Sequence, residues 1–336
     1  MGDTGKIDRE FFESYIAQRL GSTREDVRKG PTHGVDFGVI DVGERAMVVA
    51  TDPISLLPAI GFERAGTFAV RIVLADVAVS GLDPSHLAVS LSLPPDLRDG
   101  EFAQFWDAVD RECRHLGVQI VTGHTARYEE SQFPWVGHGT GLAVGDPAEI
   151  IYPDGATPGD RILITKGPAV EVTGLFSSLF ARQIPVDETT LSTAQKRLDE
   201  TGAVRDARAA AGAGGVTAMH DATEGGLLGA LHEMARSGGV RFEIDSAAVP
   251  RQPGVTEVCD ALEMDPWRAT TAGTLVLTVD PEAVDSVVSA LEDRNTPVGV
   301  AGDVVDGSGV SLDGQETEPP AGDSSWPVYE RLLYDR

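Results

Sequence analysis

Residues 30–82 constrain the fold of this chain more than any other stretch. Gly30-Pro31-Thr32-His33-Gly34-Val35-Asp36 leads into two short apolar segments, Val39-Ile40 and Ala46-Met47-Val48-Val49-Ala50, separated by the polar residues Asp41 to Arg45. β-Branched runs bounded by Gly and Asp predict strands, and so short a connection makes the pair an antiparallel hairpin. Asp36 stands just before the first strand and Asp52 just after the second, so the hairpin brings both to one open end. Downstream, Phe68, Ile72, Ala75 and Val79 recur at helical spacing over Ala65 to Ser80, and Gly81 supplies a C-cap. Asp76 falls in the last turns of that helix, where the macrodipole disfavours a carboxylate and a facing cation offsets the cost. Three carboxylates placed in this way suit Mg²⁺, which takes carboxylates, water and phosphate oxygens. The same aspartates also fit ordinary turn and strand-end chemistry, and spacing alone leaves both readings open.

Composition narrows the partners. The formal net charge is −26, with four lysines (Lys6, Lys29, Lys166, Lys196) among 27 basic residues. A field that negative repels nucleic acid and anionic membrane surfaces. Self-repulsion on this scale, with little lysine and abundant Asp, Glu, Ala, Val and Gly, resembles proteins of salt-in haloarchaea, so the acidity speaks about the solvent more than the substrate. No apolar run reaches the length of a membrane span and no N-terminal signal pattern is present, so a cytoplasmic protein is expected. Cys113 and Cys259 lack a C-x-x-C partner and read as reduced, packed thiols. At 336 residues the chain suits two domains. The polar, proline-bearing stretch Pro147 to Pro158 marks their boundary, giving 1–150 and 151–306. The acidic segment 307–336 is expected to be loosely ordered.

Ile7, Phe11, Phe12, Tyr15, Ile16 and Leu20 have helical spacing and predict a docking helix over 7–20, closed by Gly21. Thr23 to Gly34 reads as a mobile polar loop in which Lys29, taken alone, is a solvated charge. Leu87 to Leu93 predicts a strand. Glu101 to Leu116 predicts a helix with Phe102, Phe105, Val109 and Cys113 on one face. Val118 to Thr125 predicts a strand running into a glycine turn, Gly123-His124-Thr125, and Val136 to Gly145 a glycine-rich strand. In the second half, Gly159 to Gly167 opens on a strand, and Pro168 to Gly174 leads into a helix through Leu175, Leu179 and Phe180. Residues 187–212 are polar and helical. Val216 to Ala235 reads as strand, acidic turn and helix. Gly225-Gly226 there offers backbone N–H groups to an anion, while Asp221 and Glu224 also suit N-capping. Further strands at 240–244, 273–279 and 298–305 and helices at 255–262 and 281–293 alternate as βα units.

Several segments of this sequence resemble one known superfamily. Gly34-Val35-Asp36-Phe37-Gly38-Val39-Ile40 is similar to its "GDDAAV" stretch, with Val35 in place of the first acid. Thr51-Asp52-Pro53 resembles its "TD" strand end, and Leu74-Ala75-Asp76 through Asp83-Pro84 its "SDxAAMGAxP" helix. Val121-Thr122-Gly123-His124-Thr125 is similar to "GGHT", and Met219-His220-Asp221-Ala222-Thr223-Glu224-Gly225-Gly226-Leu227 to "MxDxSDGL" and "RDPTRGGL". Gly159-Asp160-Arg161-Ile162-Leu163 resembles the strand that opens the second domain. The superfamily is that of aminoimidazole ribonucleotide (AIR) synthetase, selenophosphate synthetase, thiamine-monophosphate kinase and the hydrogenase maturation factor HypE.

The resemblance, colinear over about residues 30 to 306, implies an α+β protein of two AIR synthetase-like domains: an N-terminal ATP-binding domain and a C-terminal α/β domain. It implies ATP and Mg²⁺ as cofactors, with Asp36, Asp52 and Asp76 on magnesium. It puts Lys29, Gly34, Gly123, His124 and Thr125 on the nucleotide, and Glu171, Asp221 and Glu224 on the acceptor. The implied activity is ATP-dependent phosphoryl transfer to, or activation of, a small-molecule acceptor. The alternative is an ATP-binding maturation or scaffold protein without independent turnover, working with a maturation-factor partner. A homodimer paired across the N-terminal sheet is also implied. Glu224 stands where the maturation factor has Arg. The chain ends Leu332-Leu333-Tyr334-Asp335-Arg336, without the terminal cysteine on which that factor's thiocyanate chemistry depends, so that reaction is not expected.

Overall fold

The computed structural model describes residues 5–334. The first four residues of the domain expected over 1–150 and the last two of the segment expected over 307–336 lie outside the described residues. Asp8 starts the first helix: its side chain accepts a hydrogen bond from the Phe11 N–H and caps α1 (Arg9–Phe11), which continues as a π-helical turn, Phe12–Ile16. The helix expected over 7–20 therefore stops early. The Ala17 N–H reaches back to the Phe12 carbonyl, a wide turn that leaves the α-helical ladder. Ile7, Phe11, Tyr15 and Leu20 remain exposed.

The chain forms two units, one of residues 24–30 and 36–150 and the other of residues 5–23, 31–35 and 151–334. The first contains β1 (Val27–Lys29), β2 (Gly38–Val42), β3 (Arg45–Ser55), α2 (Phe62–Ala78), β4 (Pro84–Leu93), α3 (Asp99–Leu116), β5 (Gln119–Arg127) and β6 (Trp135–Gly145). Its sheet has the order β1-β2-β3-β6-β4-β5. The hairpin read from the sequence is β2–β3, with Gly38 opposite Val49 and Val42 opposite Arg45. Three local expectations need correction. Lys29 lies on a strand, in register with Val39, instead of in a mobile loop. β3 runs on past Ala50 because β6 pairs with it as far as Ser55 opposite Trp135, so Asp52 lies inside the strand. Gly123, His124 and Thr125 are not a turn: β5 passes straight through them, parallel to Val89, Ser90 and Leu91 of β4.

Glycine sets how closely α2 packs. A Cβ at Gly139 or Gly141 of β6 would meet Val73 at 2.8 Å or Val77 at 2.9 Å, both on α2. Within α2, a Cβ at Gly66 would lie 2.3 Å from the Phe105 carbonyl oxygen of α3. Helix propensity alone favours Gly66→Ala by about 1 kcal/mol. The contact is with backbone, which cannot swing aside, so the expected result is a net loss of about 1–3 kcal/mol. Urea unfolding measures it, and a raised midpoint would refute the close α2–α3 approach.

The second unit contains β7 (Arg161–Thr165), α4 (Val170–Leu179), α5 (Glu188–Gln195), α6 (Val204–Ala213), β8 (Val216–Ala222), α7 (Gly226–Gly238), β9 (Arg241–Ile244), α8 (Val255–Ala261), β10 (Thr274–Val279), α9 (Val284–Glu292), β11 (Val298–Val305), β12 (Gly309–Leu312), β13 (Gln315–Thr317) and α10 (Ser325–Tyr334). The sheet order is β13-β12-β9-β11-β7-β10-β8. The elements follow the expected βα alternation, yet every pairing is antiparallel except β12 with β9. Alternation decides the order of elements and leaves strand direction to packing. All of β10, which lies between β7 and the edge strand β8, is buried, as a strand covered on both faces must be. One core joins α7 (Leu227, Leu231, Met234) to Ile162, Ile164, Phe242 and Val276. A second gathers Phe176 and Phe180 with Val258, Val328 and Leu332.

The segment after Gly307 is ordered, against expectation. Its few apolar residues are placed to be buried: Val310 is buried on β12, while Val328 and Leu332, four apart on α10, enter the second core. Acidic composition hid this pattern. Cys113 and Cys259 are both buried, and burial pushes each thiol up to about 12, which leaves them as packing groups. Among the described residues no helix is long and apolar enough to cross a membrane.

Candidate functional site

In the first unit the three aspartates are all half-buried. β2 begins at Gly38, opposite Val49, so Asp36 stands two residues before β2 while Asp52 lies within β3, three residues beyond Val49. Asp52 itself lies opposite Gly139 of β6. Asp76 sits in the last turn of α2, between the buried Ala75 and Val77. Among the described residues the three carboxylates do not form one group with oxygens within 4.8 Å of one another. Their chemistry is nonetheless that of hard oxygen donors, which fits Mg²⁺ held by single carboxylates together with water and phosphate. Lys29 is half-buried at the end of β1. Gly123, His124 and Thr125 are exposed along β5, where a Cβ at Gly123 would stand 2.7 Å from the Val89 carbonyl oxygen. The His124 imidazole lies 3.4 Å from the Tyr128 hydroxyl.

Gly34 belongs to the second unit, buried and left-handed (φ 81°) against the Glu233 side chain of α7. That unit also holds the three residues expected to face an acceptor. Asp221, at the end of β8, is buried beside His220. His220 Nε2 is 3.0 Å from Glu233 Oε2, and Lys6 Nζ is 3.3 Å from Glu233 Oε1. Burial alone would raise the Glu233 carboxyl. The His220 hydrogen bond and the charges on Lys6, His220 and His33 outweigh it and hold the group down at about 2.

Glu224, in the turn before α7, accepts hydrogen bonds from the Lys6 backbone N–H at 2.8 Å and from the Trp326 indole N–H at 2.6 Å. Glu171, in the first turn of α4, uses Oε2 to accept from the Thr270 hydroxyl and the Ala272 N–H, both at 2.9 Å. Burial pushes the Glu171 carboxyl up. Those two hydrogen bonds oppose the shift, and the nearby charges of Asp323 and Glu224 add to it. Glu171 and Glu224 therefore share one electrostatic neighbourhood, while Asp221 is grouped with His220.

The start of α7 corrects one further expectation. Gly225 and Gly226 do not present open N–H groups to an outside anion: the Gly225 N–H donates to Asp323 Oδ2 at 2.8 Å, and the Gly226 N–H to the Thr223 carbonyl at 3.0 Å. The chain supplies its own anion there. His220, Glu233, Asp323, Trp326 and Lys6 were not singled out from the sequence. Glu233 left a trace, since it falls seven residues after Gly226 and hence on the same helix face. Asp323 and Trp326 come from far downstream and left none.

Residues 34–143 match the family model described as AIR synthase related protein, N-terminal domain, and residues 157–315 match AIR synthase related protein, C-terminal domain. Carbamoyl dehydratase HypE of Rhizobium leguminosarum bv. viciae is 30% identical over 261 residues, covering 77% of this chain and 73% of that one. Among solved structures, AaThiL complexed with AMPPCP and TMP is similar with a TM-score of 0.72 at 21% identity, over 88% of this chain and 93% of that one. Hydrogenase maturation protein HypE in complex with ATP is similar with a TM-score of 0.68 at 20% identity, over 95% and 96% of the two chains.

Proposed function

We propose, for a chain that belongs to the AIR synthase related family, that it binds Mg-ATP and uses it to activate a small-molecule acceptor by phosphoryl transfer to an oxygen. The observation that carries this reading is the position of Asp36, Asp52 and Asp76, three half-buried carboxylates in the unit that spans the family's N-terminal domain. Asp76 is the most telling of them, because a carboxylate near a helix C-terminus works against the dipole. The ATP and AMPPCP bound by the similar HypE and ThiL structures support the choice of nucleotide.

In this reading Asp36, Asp52 and Asp76 hold magnesium directly or through its waters. Lys29, Gly34 and the β5 segment Gly123-His124-Thr125 meet the nucleotide. Glu171, Asp221 and Glu224 receive the acceptor, with Glu171 the carboxyl best suited to exchange a proton because its pKa is raised. Magnesium, when bound, neutralises charge on the transferring phosphoryl group, and the rest of the catalysis is positioning. Exposed Val121 and Tyr128 along and just beyond the edge strand β5, and Trp135 on β6, support pairing of this sheet with a second copy of the chain.

Calorimetric titration of Mg-ATP into the full chain in multimolar KCl tests the nucleotide site, with an Asp52→Asn, Asp76→Asn double variant beside it. Saturable binding weakened at least about 100-fold in the variant is expected, at roughly tenfold or more for each carboxylate neutralised. Absence of binding to the folded wild type would overturn the reading.

A further inference from the structure

Lys166 lies outside every role assigned above, yet it is among the most constrained residues of the second unit. It follows β7 in a left-handed conformation (φ 54°) that a non-glycine residue adopts only when its surroundings impose it. Its side chain is 7% exposed. The ammonium meets four oxygens: the carbonyls of Glu200 at 2.9 Å, Gly202 at 2.7 Å and Gly273 at 3.0 Å, and Asp206 Oδ2 at 2.9 Å. An ammonium has three protons to donate, so the fourth oxygen is satisfied by charge.

The cage is also held by bonds that do not involve the lysine. Asp206 Oδ1 accepts from Arg294 Nε at 3.1 Å and from the Thr296 hydroxyl at 2.7 Å. Thr201, between Glu200 and Gly202, is tied to the Leu198 carbonyl at 3.0 Å. The Gly273 turn is fixed by the Thr274 hydroxyl, which donates to the Gly167 carbonyl at 2.7 Å. Without the ammonium this arrangement would leave three carbonyls and one carboxylate converging on a buried point, with a charge deficit of one.

We infer that these oxygens form a monovalent-cation site, that Lys166 Nζ fills it as a tethered cation, and that a free potassium-sized ion takes its place when the ammonium is removed. Oxygens at 2.7–3.0 Å from the centre stand too far out for Mg²⁺ or Ca²⁺, which need about 2.0–2.6 Å. A shell of mostly neutral carbonyls suits a monovalent ion that exchanges water for carbonyl oxygen. In the native chain the tether keeps the 200–206 and 270–274 segments ordered whatever ions surround the protein. The second of these segments carries the Thr270 and Ala272 groups that fix Glu171. The inference does not depend on how the nucleotide is bound.

Lys166→Gly tests it, because glycine accepts the left-handed backbone and leaves room for an ion. Thermal unfolding of the full-length variant is followed in KCl and in choline chloride of equal concentration, relative to the wild type in the same salts. In choline the midpoint should fall by on the order of 10 °C; in KCl most of that loss should return saturably. Lys166→Gly combined with Asp206→Asn should show no potassium-specific recovery. Crystals of Lys166→Gly grown in RbCl should give an anomalous peak between Glu200, Gly202, Gly273 and Asp206. Equal behaviour in the two salts, recovery retained in the double variant, failure to fold in either salt, or no rubidium peak would each overturn the inference.

Discussion

Replacing Asp206 with alanine is expected to cost about 3–5 kcal/mol of folding stability, the range found when one partner of a buried ion pair is removed. Asp206 is 4% exposed and its carboxylate lies 2.9 Å from the Lys166 ammonium, whose own side chain is 7% exposed. Arg294 and Thr296 would lose their acceptor at the same time. The pH dependence follows from the same contacts. Burial opposes ionisation of Asp206, but Lys166, Thr296 and Arg294 together hold its pKa below the ordinary carboxylate range. A lowered folded-state pKa contributes stability that is fully present above the unfolded value, near 4, and is lost as pH falls through the folded value. Urea denaturation of both proteins at pH 7 and pH 3 measures this. A loss under about 1 kcal/mol at pH 7 would mean that the pair merely offsets its own desolvation.

Glu233→Gln is expected to remove about 3 kcal/mol at neutral pH. The folded carboxyl is held at about 2 against an ordinary value of 4.5, and each unit of difference corresponds to about 1.4 kcal/mol. With 18% of the side chain exposed, solvent screening takes away little of this. The contribution is present above pH 4.5 and disappears between about 4.5 and 2, as protonation breaks the hold on His220 and Lys6. The wild type should therefore lose stability across that window more steeply than the glutamine variant, and the two curves should converge toward pH 2. Parallel curves would show that Glu233 is an ordinary surface acid and that the assembly around His220 is held by other contacts.

Much of this architecture is legible in local sequence. The hairpin around Asp36 and Asp52, the helix carrying Asp76, the α3 helix closed by Gly117, and the strand, acidic turn and helix around Asp221 and Glu224 all rest on periods of two or 3.6 and on glycine stops. These forces act within a dozen residues. At three places where the local reading failed, a distant partner had overridden it. β6 extends β3 past Asp52 and β4 carries β5 through Gly123, while the second core draws α10 out of a segment whose composition reads as disordered.

The sequence by itself determined the family, the succession of elements and the acidic residues available for chemistry, because periodicity, turn chemistry and motif spacing are properties of neighbouring residues. Only the tertiary structure decided which groups meet. Asp323 fills the α7 N-terminus from 98 positions away, Lys6 reaches Glu224 across 218 positions, and carbonyls from 34 to 107 positions along the chain close around Lys166. Such contacts have no local signature, since their formation repays a loop-closure entropy that depends on the whole fold.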